Sequence, residues 1–557
     1  MKKDDRNLLI DRDDEIPIKD KFNKGNIAIK QYVHMMEYAV GDGVTDETTE
    51  IQAAIYAAMG STLIWTRQQV SKYLTKKLFI PSNITIIFEK GTIVEAAKGH
   101  KGSLFFLDNK ENIIMKGNAA TIQMVKSDYI SEFNAGINVR GCKNVTIDNF
   151  YIKDCGGDGI ILASLLTKET YFPNENVYLT NNTIDNVKRN GITIGHGRNI
   201  IISDNTIKNT NGTSPEAGID VETDTASRVV ENVKIYRNNI HNNKVGIYVS
   251  GSKKIKIFDN LVFDNTDGGI SCVNNFIGIY QQIRDVNITT NTITIPSHGL
   301  KVGDLVKLKS GTFETLSDGN SASTMYYVSS TPSINLLTIS SYKYYPNIPI
   351  DITDSFSLPV AIAKKNITVT EDIKIYENEI NNCSANIYSQ YCNNIQVYNN
   401  TITDGGIGIN FSFTENSLAR DNKIDNPSDR GILAVGFSND IINNKIYKSV
   451  KAGIVSIGCS MSRIEGNMLF KCAEFGTEST NCALYVSNSK KSMIANNFSK
   501  RTAGSSHPQY GMRVETSSIN SERNLIFNND MNQAGVKNGI LIDVGKNKGV
   551  QLSTSQQ

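Results

Sequence analysis

The sequence lacks any apolar run of about 18 residues, and no apolar stretch of signal-peptide length follows the basic residues at its start. We therefore expect neither a membrane-spanning helix nor an export signal. Charge of one sign is not in excess either, because 58 Lys and Arg residues are dispersed among 56 Asp and Glu residues. This balance argues against a basic groove for nucleic acid, so neither nucleic acid nor a membrane is an expected partner.

Paired cysteine motifs are also missing, since the eight cysteines show no Cys-x-x-Cys spacing. Most of them stand in apolar patterns, which favours free buried thiols in a protein made in a reducing compartment. The hydrophobic content of 39% suits a large folded body rather than a disordered chain.

One short frame, a glycine followed by alternating apolar residues, recurs along most of the sequence. It starts at Gly159, Gly191, Gly218, Gly246, Gly269, Gly408, Gly431, Gly453, Gly511 and Gly539. In the plainest stretch the starts are 23 and 22 residues apart, from Gly408 through Gly431 to Gly453. A fixed period of this size is typical of a solenoid, and the alternation predicts strands with one face inward.

A second signature is a corner of two Asn, or of Asp and Asn, followed by a short strand. These corners start at Asn181, Asp204, Asn238, Asp259, Asn399, Asp421, Asn443 and Asn528. Asn tolerates left-handed backbone geometry, and stacked Asn side chains can hydrogen-bond along a column. The two signatures together predict an all-β fold of stacked coils.

The stretch 38–58 differs from the repeat and predicts a capping helix. A Gly-Asp-Gly turn at 41–43 is followed by Thr45 and Asp46, either of which can cap a helix. The apolar face of that helix consists of Ile51, Ala54, Ile55 and Ala58. Such a helix would shield the open end of a stacked core.

This opening closely resembles the start of pectate-lyase-like right-handed parallel β-helix proteins, which include bacteriophage tailspikes and capsule depolymerases. The resemblance implies a right-handed parallel β-helix, a homotrimer, attachment to a phage tail through the N-terminus, and a bacterial surface polysaccharide as partner. The implied location is the virion tail, with synthesis in the host cytoplasm and action outside the cell. The chain departs from the family pattern at 78–83, where Leu-Phe-Ile-Pro-Ser-Asn replaces a glycine-rich entry.

The repeat is interrupted between Gly269 and Asn386, where 117 residues replace one coil. Alternating residues at 291–308 predict a small inserted β-barrel or sandwich, either a spacer or a module that contacts sugar or stabilises a trimer. The predicted division is a leader or attachment segment at 1–36, a capping segment with its helix at 37–77, β-helix at 78–276, the insertion at 277–370, β-helix again at 371–549, and a tail at 550–557.

The strand that starts at Ala217 differs from the other frames because it carries carboxylates. Ile219 and Val221 are expected to face the core, which leaves Asp220 and Glu222 as outward neighbours about 6.5 to 7 Å apart at Cα. Two carboxyl groups, one protonated and one ionised, are what glycosidic cleavage needs. We therefore predict Asp220 and Glu222 as the catalytic pair of a glycoside hydrolase.

Neighbouring coils add candidates for substrate binding, and the three coils around the acidic strand are lengthened at 164–176, 210–216 and 223–231. The expected neighbours are Thr193 and Tyr248 beside Asp220, and Gly195 and Ser250 beside Glu222. The substrate-binding candidates are Asp158, His196, Arg198, Glu216, Asp224, Tyr248 and Asp267. Each has a structural alternative, such as a turn former or a solvated surface residue.

The preferred function is a tailspike endoglycosidase that hydrolyses a capsular or exopolysaccharide without a cofactor or metal. A polysaccharide lyase is the first alternative, in which Asp220, Glu222 and Asp224 would bind Ca²⁺; few basic residues are expected on the same face to remove a proton. The second alternative is a non-enzymatic adhesin or fibre.

Overall fold

A computed structural model shows a solenoid of parallel strands over most of the chain. It describes residues 32–552 apart from 68–71, 129–130, 168–169, 224–226, 275–279, 288, 303, 309–324, 341–359, 365–369, 474–481, 488, 490, 503–507, 509, 516–523, 536–537 and 544–549. Most of the predicted leader and tail therefore lie outside the described residues.

The chain winds through three stacks of short parallel strands. The first stack contains Leu78–Phe79, Phe105–Asp108, Ile137–Arg140, Ile160–Ala163, Ile192–Ile194, Ala217–Glu222, Val245–Ser250, Gly268–Val273, Ala385–Gln390, Ile407–Glu415, Ile432–Phe437, Ile454–Ser460, Cys482–Ser487, Tyr510–Glu515 and Asn538–Asp543. The second stack contains Tyr32–His34, Thr62–Trp65, Ile84–Phe88, Glu111–Gln123, Lys143–Lys153, Asn174–Thr180, Gly197–Ser203, Val230–Tyr236, Lys253–Phe258, Glu371–Tyr376, Asn393–Tyr398, Leu418–Arg420, Asp440–Ile442, Arg463–Glu465, Met493–Ala495, Asn524–Phe527 and Val550–Leu552.

The third stack shares the long strands Glu111–Gln123 and Lys143–Lys153 with the second. Its other strands are Asp42–Asp46, Lys72–Thr75, Ile93–Ala96, Thr183–Asp185, Thr206–Lys208, Asn239–His241, Leu261–Phe263, Glu379–Asn381, Thr401–Thr403, Lys423–Asp425, Lys445–Tyr447, Met468–Phe470, Phe498–Lys500 and Asp530–Gln533. A hairpin of Leu165–Thr167 and Thr170–Phe172 projects from the coils, and short 3₁₀ helices span Met35–Glu37 and Lys126–Asp128.

The inward residues of the three stacks form one continuous apolar core. Ile219 is paired with Ile192 on one side and Ile247 on the other, and all three are fully buried; each buried side chain of this kind contributes about 1.5 to 3 kcal/mol. All ten glycine frames lie on the first stack, so the predicted parallel β-helix is confirmed. Glycine leads the frame because space is short: a Cβ on Gly191 would lie 2.5 Å from the carbonyl oxygen of Gly218.

The Asn corners form the predicted column of amides. Asn205 donates to the side-chain oxygen of Asn238 at 2.9 Å, and Asn238 donates to that of Asn260 at 3.0 Å. The residue before each buried amide has left-handed backbone geometry, as at Asp204 (φ 60°). In the corner read from the sequence as starting at Asn238, the left-handed residue is Arg237 (φ 52°) and Asn238 itself belongs to the buried column.

The capping helix spans Thr48–Ala57 and buries Ile51, Ala54 and Ile55 completely. Its N-cap residue is Glu47, whose side chain makes no capping hydrogen bond, so neither predicted residue holds the cap position. Asp46 lies one residue earlier, and its carboxylate accepts hydrogen bonds from the Thr48 backbone N–H and hydroxyl. Among the described residues, the first strand in parallel stacking is Tyr32–His34, which pairs with Thr62–Trp65. The β-helix thus starts before residue 78, the boundary expected from the sequence, because the coils around the helix lack the glycine frame.

The insertion contains a seven-stranded antiparallel sheet built from Tyr280–Ile283, Asp285–Asn287, Thr292–Thr294, Leu305–Leu308, Met325–Ser333, Leu336–Ser340 and Val360–Lys364. Its first and last strands pair with each other, so the insertion leaves and rejoins the coils at neighbouring points. Beyond it, Lys253–Phe258 pairs directly with Glu371–Tyr376. The β-helix therefore continues across the insertion without a missing coil.

All eight cysteines are buried and none forms a disulfide, as the sequence predicts. In the part of the chain that the structure describes, no helix has the length and apolar character needed to cross a membrane.

Candidate active site on the first stack

The acidic strand Ala217–Glu222 stands where the sequence places it, between two coils of the first stack. Asp220 is paired with Thr193 on one side and with Tyr248 on the other. Glu222 is paired with Ser250, and Gly195 lies on its other side, where an added Cβ would come 4.0 Å from the Glu222 carbonyl oxygen. The four predicted neighbours of the acidic pair are therefore adjacent to it.

The exposure of the pair differs from the expectation that both side chains face solvent. Asp220 is 0% exposed, whereas Glu222 is half-buried. The side chain of Asp220 does point away from the apolar core, but the turn before the neighbouring strand closes over it. From that turn Asn190 donates its side-chain amide to a carboxylate oxygen of Asp220 at 2.8 Å. Of the two predicted catalytic residues, only Glu222 reaches the surface.

A second buried carboxylate, Asp158, lies two coils before Asp220. Arg189 donates to both of its oxygens, at 3.2 and 3.0 Å, and the Asn190 backbone N–H donates to it at 3.1 Å. Burial raises the pKa of Asp158 to about 6, although the charge of Arg189 opposes that shift. For Arg189, burial would lower the pKa, but the charges of Asp158, Asp220 and Glu132 outweigh it and raise the pKa.

Asn190 connects the two carboxylates and is missing from the set predicted from the sequence. Besides its bond to Asp220, its amide donates to the Thr193 hydroxyl at 3.0 Å, and its side-chain oxygen accepts from the Ala217 N–H at 2.9 Å. A signal for it exists, because Asn190 precedes Gly191 just as Asp158 precedes Gly159. Asp158 and Asn190, each in the position before a frame glycine, therefore belong to one buried network with Asp220.

His196 and Arg198 belong to the other end of the acidic strand. The Nδ1 atom of His196 lies 3.0 Å from the Ser164 hydroxyl, and burial, with the charges of Arg228 and Arg198, lowers the pKa of His196 to about 4. It is therefore neutral near pH 7. Arg198 is exposed and pairs with Glu231 at 3.1 Å.

Two of the lengthened loops meet at this end of the strand. The loop at 164–176 contains the projecting hairpin, and its Tyr171 ring lies 4.8 Å from the guanidinium carbon of Arg228, which belongs to the loop at 223–231. Glu222 occupies the last position of its strand and directly precedes the loop at 223–231.

Of the remaining candidates, two occupy the opposite edge of the first stack, one lies beside Asp220, and one falls outside the described residues. Glu216 accepts a hydrogen bond from the Gly212 N–H at 2.6 Å and pairs with Lys244 at 3.6 Å, so it stabilises its own loop. Asp267 is exposed one coil beyond Lys244, whose carbonyl accepts the Asp267 N–H. Tyr248 is half-buried beside Asp220. Asp224 lies outside the described residues.

Among the described residues, no group of three or more His, Cys, Asp or Glu side chains is placed to hold a metal ion. The Ca²⁺ set considered from the sequence includes Asp224, which is not among those residues. The geometry that is described offers one accessible carboxyl group, Glu222, beside a buried carboxylate whose burial cost is offset by an amide and a nearby cation.

Comparison with known proteins agrees with the fold. A family model described as a right-handed β-helix region matches residues 99–233 and 171–310, and a model described as a periplasmic copper-binding protein (NosD) matches 354–547. In solved structures, the pre-mature bacteriophage phi29 gene product 12 aligns over 88% of this chain and 63% of its own length, with a TM-score of 0.54 and 13% identity. These matches agree with the right-handed parallel β-helix as the fold of this chain.

Two proteins of Bacillus subtilis strain 168 are similar over shorter stretches. The uncharacterized protein YclG is 26% identical over 209 residues, which are 32% of this chain and 36% of YclG. The SPbeta prophage-derived uncharacterized protein YorA is 28% identical over 159 residues, 26% of this chain and 27% of YorA. The chain thus spans about a third of the length of these relatives.

Proposed function

We propose that this protein is a phage-type tailspike glycosidase that hydrolyses a bacterial surface polysaccharide at Glu222. The observation that carries the proposal is the position of Glu222, half-buried at the end of the acidic strand and directly before the lengthened loop at 223–231, whose Arg228 meets Tyr171 of the loop at 164–176. Loops added to a rigid stack build the walls of a groove, which is where binding residues are placed.

The chemistry requires a proton donor and a second carboxyl group. Glu222 donates its proton to the glycosidic oxygen as the bond to the anomeric carbon breaks, and water adds to that carbon. Asp220, two residues along the strand and completely buried in this structure, is the second carboxyl group of this proposal and takes the proton of the attacking water.

The assignment to a phage rests on similarity to a phage protein and to a prophage-derived protein, and on the resemblance of the stretch 38–58 to the start of phage tailspikes. A phage gene product shares the fold over most of the chain, and one relative is prophage-derived. A homotrimer attached to the tail through its N-terminus belongs to the same proposal.

A second candidate function is a non-enzymatic adhesin that binds the polysaccharide without cutting it. The complete burial of Asp220 favours this candidate, because a catalytic carboxylate has to reach its substrate. The two functions make different predictions for the same polysaccharide.

The test incubates the protein with a panel of purified capsular polysaccharides and records reducing ends, ultraviolet absorbance of unsaturated sugars, and binding. Glu222→Gln should still bind but lose about 10²- to 10⁴-fold in turnover, the contribution of one positioned proton donor. Glu379→Gln, an exposed residue of the third stack, is the matched control and should cut normally. Near-normal cleavage by Glu222→Gln would overturn the assignment, unsaturated products would indicate a lyase, and binding without any cleavage would indicate the adhesin.

A further inference from the structure

The second stack carries a column of like charges on its outer face. Lys234, Lys256 and Lys374 are direct neighbours on three successive strands, about 4.8 Å apart along the stack. Lys234 and Lys256 are exposed and Lys374 is half-buried. Among the described residues, no carboxylate lies within ion-pair distance of these three ammonium groups.

A parallel column on the same strands shows that this arrangement is not a consequence of the fold. There the charges alternate through Arg198, Glu231, Lys253 and Glu371. Glu231 lies 3.1 Å from Arg198 and 4.0 Å from Lys253. Like charges in direct register are unfavourable, whereas alternating charges are favourable. The three lysines therefore repel one another, whereas the charges of the neighbouring column attract one another. A bound polyanion would relieve the repulsion between the lysines.

Two residues further along the same strands, an aromatic ladder lines one side of the lysines. Tyr236, Phe258, Tyr376 and Tyr398 stack with centroids 4.9 Å apart and planes within 12° of parallel. The guanidinium groups of Arg237 and Arg420 lie over the two end rings, at 4.6 and 4.9 Å. With their faces covered by one another and by these cations, the rings form a rigid wall beside the lysines.

We propose that the face formed by the lysine column and the aromatic ladder binds an anionic polysaccharide whose acidic groups contact Lys234, Lys256 and Lys374. A polymer with regularly spaced carboxylates complements a column that presents one ammonium group per coil, and the wall restricts the lysines to one side. The site is distinct from Glu222, lies on a different stack, and does not depend on cleavage there.

The same features argue against two other occupants. Single-stranded nucleic acid is held by bases that stack on free aromatic faces, and the faces of this ladder are already covered. A second copy of the chain would need a carboxylate column to offset the lysines, and the charged column on the neighbouring positions of this stack alternates in sign. Charge complementarity therefore favours an acidic polysaccharide.

The test measures binding of the full chain to alginate, a polyuronate, and to dextran, a neutral glucan, at low and high salt. The double variant Lys234→Gln with Lys256→Gln should weaken alginate binding at least roughly tenfold and reduce its salt dependence. The matched control is Lys423→Gln with Lys445→Gln, which removes two exposed neighbouring lysines from the third stack and should change binding less than about twofold.

Equal weakening by both double variants, or equal binding of alginate and dextran by the wild type, would overturn the proposal. Tighter binding of an oligothymidylate, lost in the first double variant alone, would also overturn it in favour of nucleic acid. A changed oligomeric state of that variant in analytical ultracentrifugation would instead make the face an interface between copies. Glu222→Gln should bind alginate normally, so that failure of the hydrolase proposal is distinguishable from failure of this one.

Discussion

The acidic strand of the first stack and the lysine column of the second are built on the same repeating backbone, yet their charged side chains differ in exposure to solvent. Asp220 and Asp158 are completely buried and held by Asn190 and Arg189. The lysines stand on plain coils, and Lys234 and Lys256 are open to solvent. The difference teaches that turns and loops between strands, rather than the strands, decide whether an outward residue is accessible.

The largest change in stability is expected when Arg189 is removed from the buried network that holds Asp158 and Asp220. Arg189→Met should destabilise the fold by about 3 to 5 kcal/mol, because it leaves Asp158 and Asp220 buried without their cation. Urea unfolding near pH 7 measures this loss. Arg198→Met removes an exposed partner of Glu231 and should cost no more than about 1 kcal/mol. Equal losses in the two variants would contradict the view that the Arg189 network is buried and coupled.

The pH dependence of stability sharpens the same comparison. Unfolded Asp158 titrates near 3.8 and native Asp158 near 6, so between these values the native state holds one more proton than the unfolded state. Stability from this group is thus fully present below about pH 3.8 and is lost as the pH rises through about 6, a difference of about 3 kcal/mol. Asp158→Asn should remove this loss, as thermal unfolding midpoints at several pH values would show.

The contribution of His196 to stability depends on pH in the opposite direction, so a His196 variant is the control for Asp158→Asn. Its native pKa of about 4 lies below its unfolded value of 6.5, so its contribution is present above pH 6.5 and is lost as the pH falls through about 4. His196→Gln should therefore flatten the low-pH side of the profile. If Asp158→Asn and wild type show parallel profiles between pH 4 and pH 6, Asp158 does not carry the raised pKa.

The smallest change in stability is expected at the exposed lysine column. Lys256→Gln removes the middle charge of the lysine column and should stabilise the fold by about 0.2 to 1 kcal/mol at low salt, since like charges in register repel. High salt should abolish the gain. Lys253→Gln on the same strand loses the attraction of Glu231 and Glu371 and should destabilise slightly. A change of the same sign in both variants would show that the two columns are energetically alike.

Much of the fold was predictable because the repeat depends on residues that are close together in the sequence. The ten glycine frames identify the first stack, since a side chain at positions such as Gly191 would clash with the next coil. The Asn corners identify a buried amide column, since Asp204 or Asn181 can adopt left-handed geometry where most residues cannot. The coils before residue 78 were missed because they bury Trp65 and Tyr73 without the glycine frame.

The candidate site was only partly predictable. Strand register follows from the period, so Thr193, Tyr248 and Ser250 could be placed beside the acidic pair. The burial of Asp220 could not, because it depends on Asn190, which lies 30 residues earlier in a turn. Sequence spacing does not show which turn folds over which strand.

The sequence by itself determined the period, the inward and outward faces of each strand and the coil on which the carboxylates stand, because these depend on alternation and on glycine and asparagine backbone geometry. The tertiary structure alone decided that Asp220 and Asp158 share a buried network with Arg189 and Asn190. It also decided that Lys256 and Lys374 are neighbours across the insertion. The physical reason is that burial and the pairing of charges depend on distances between coils.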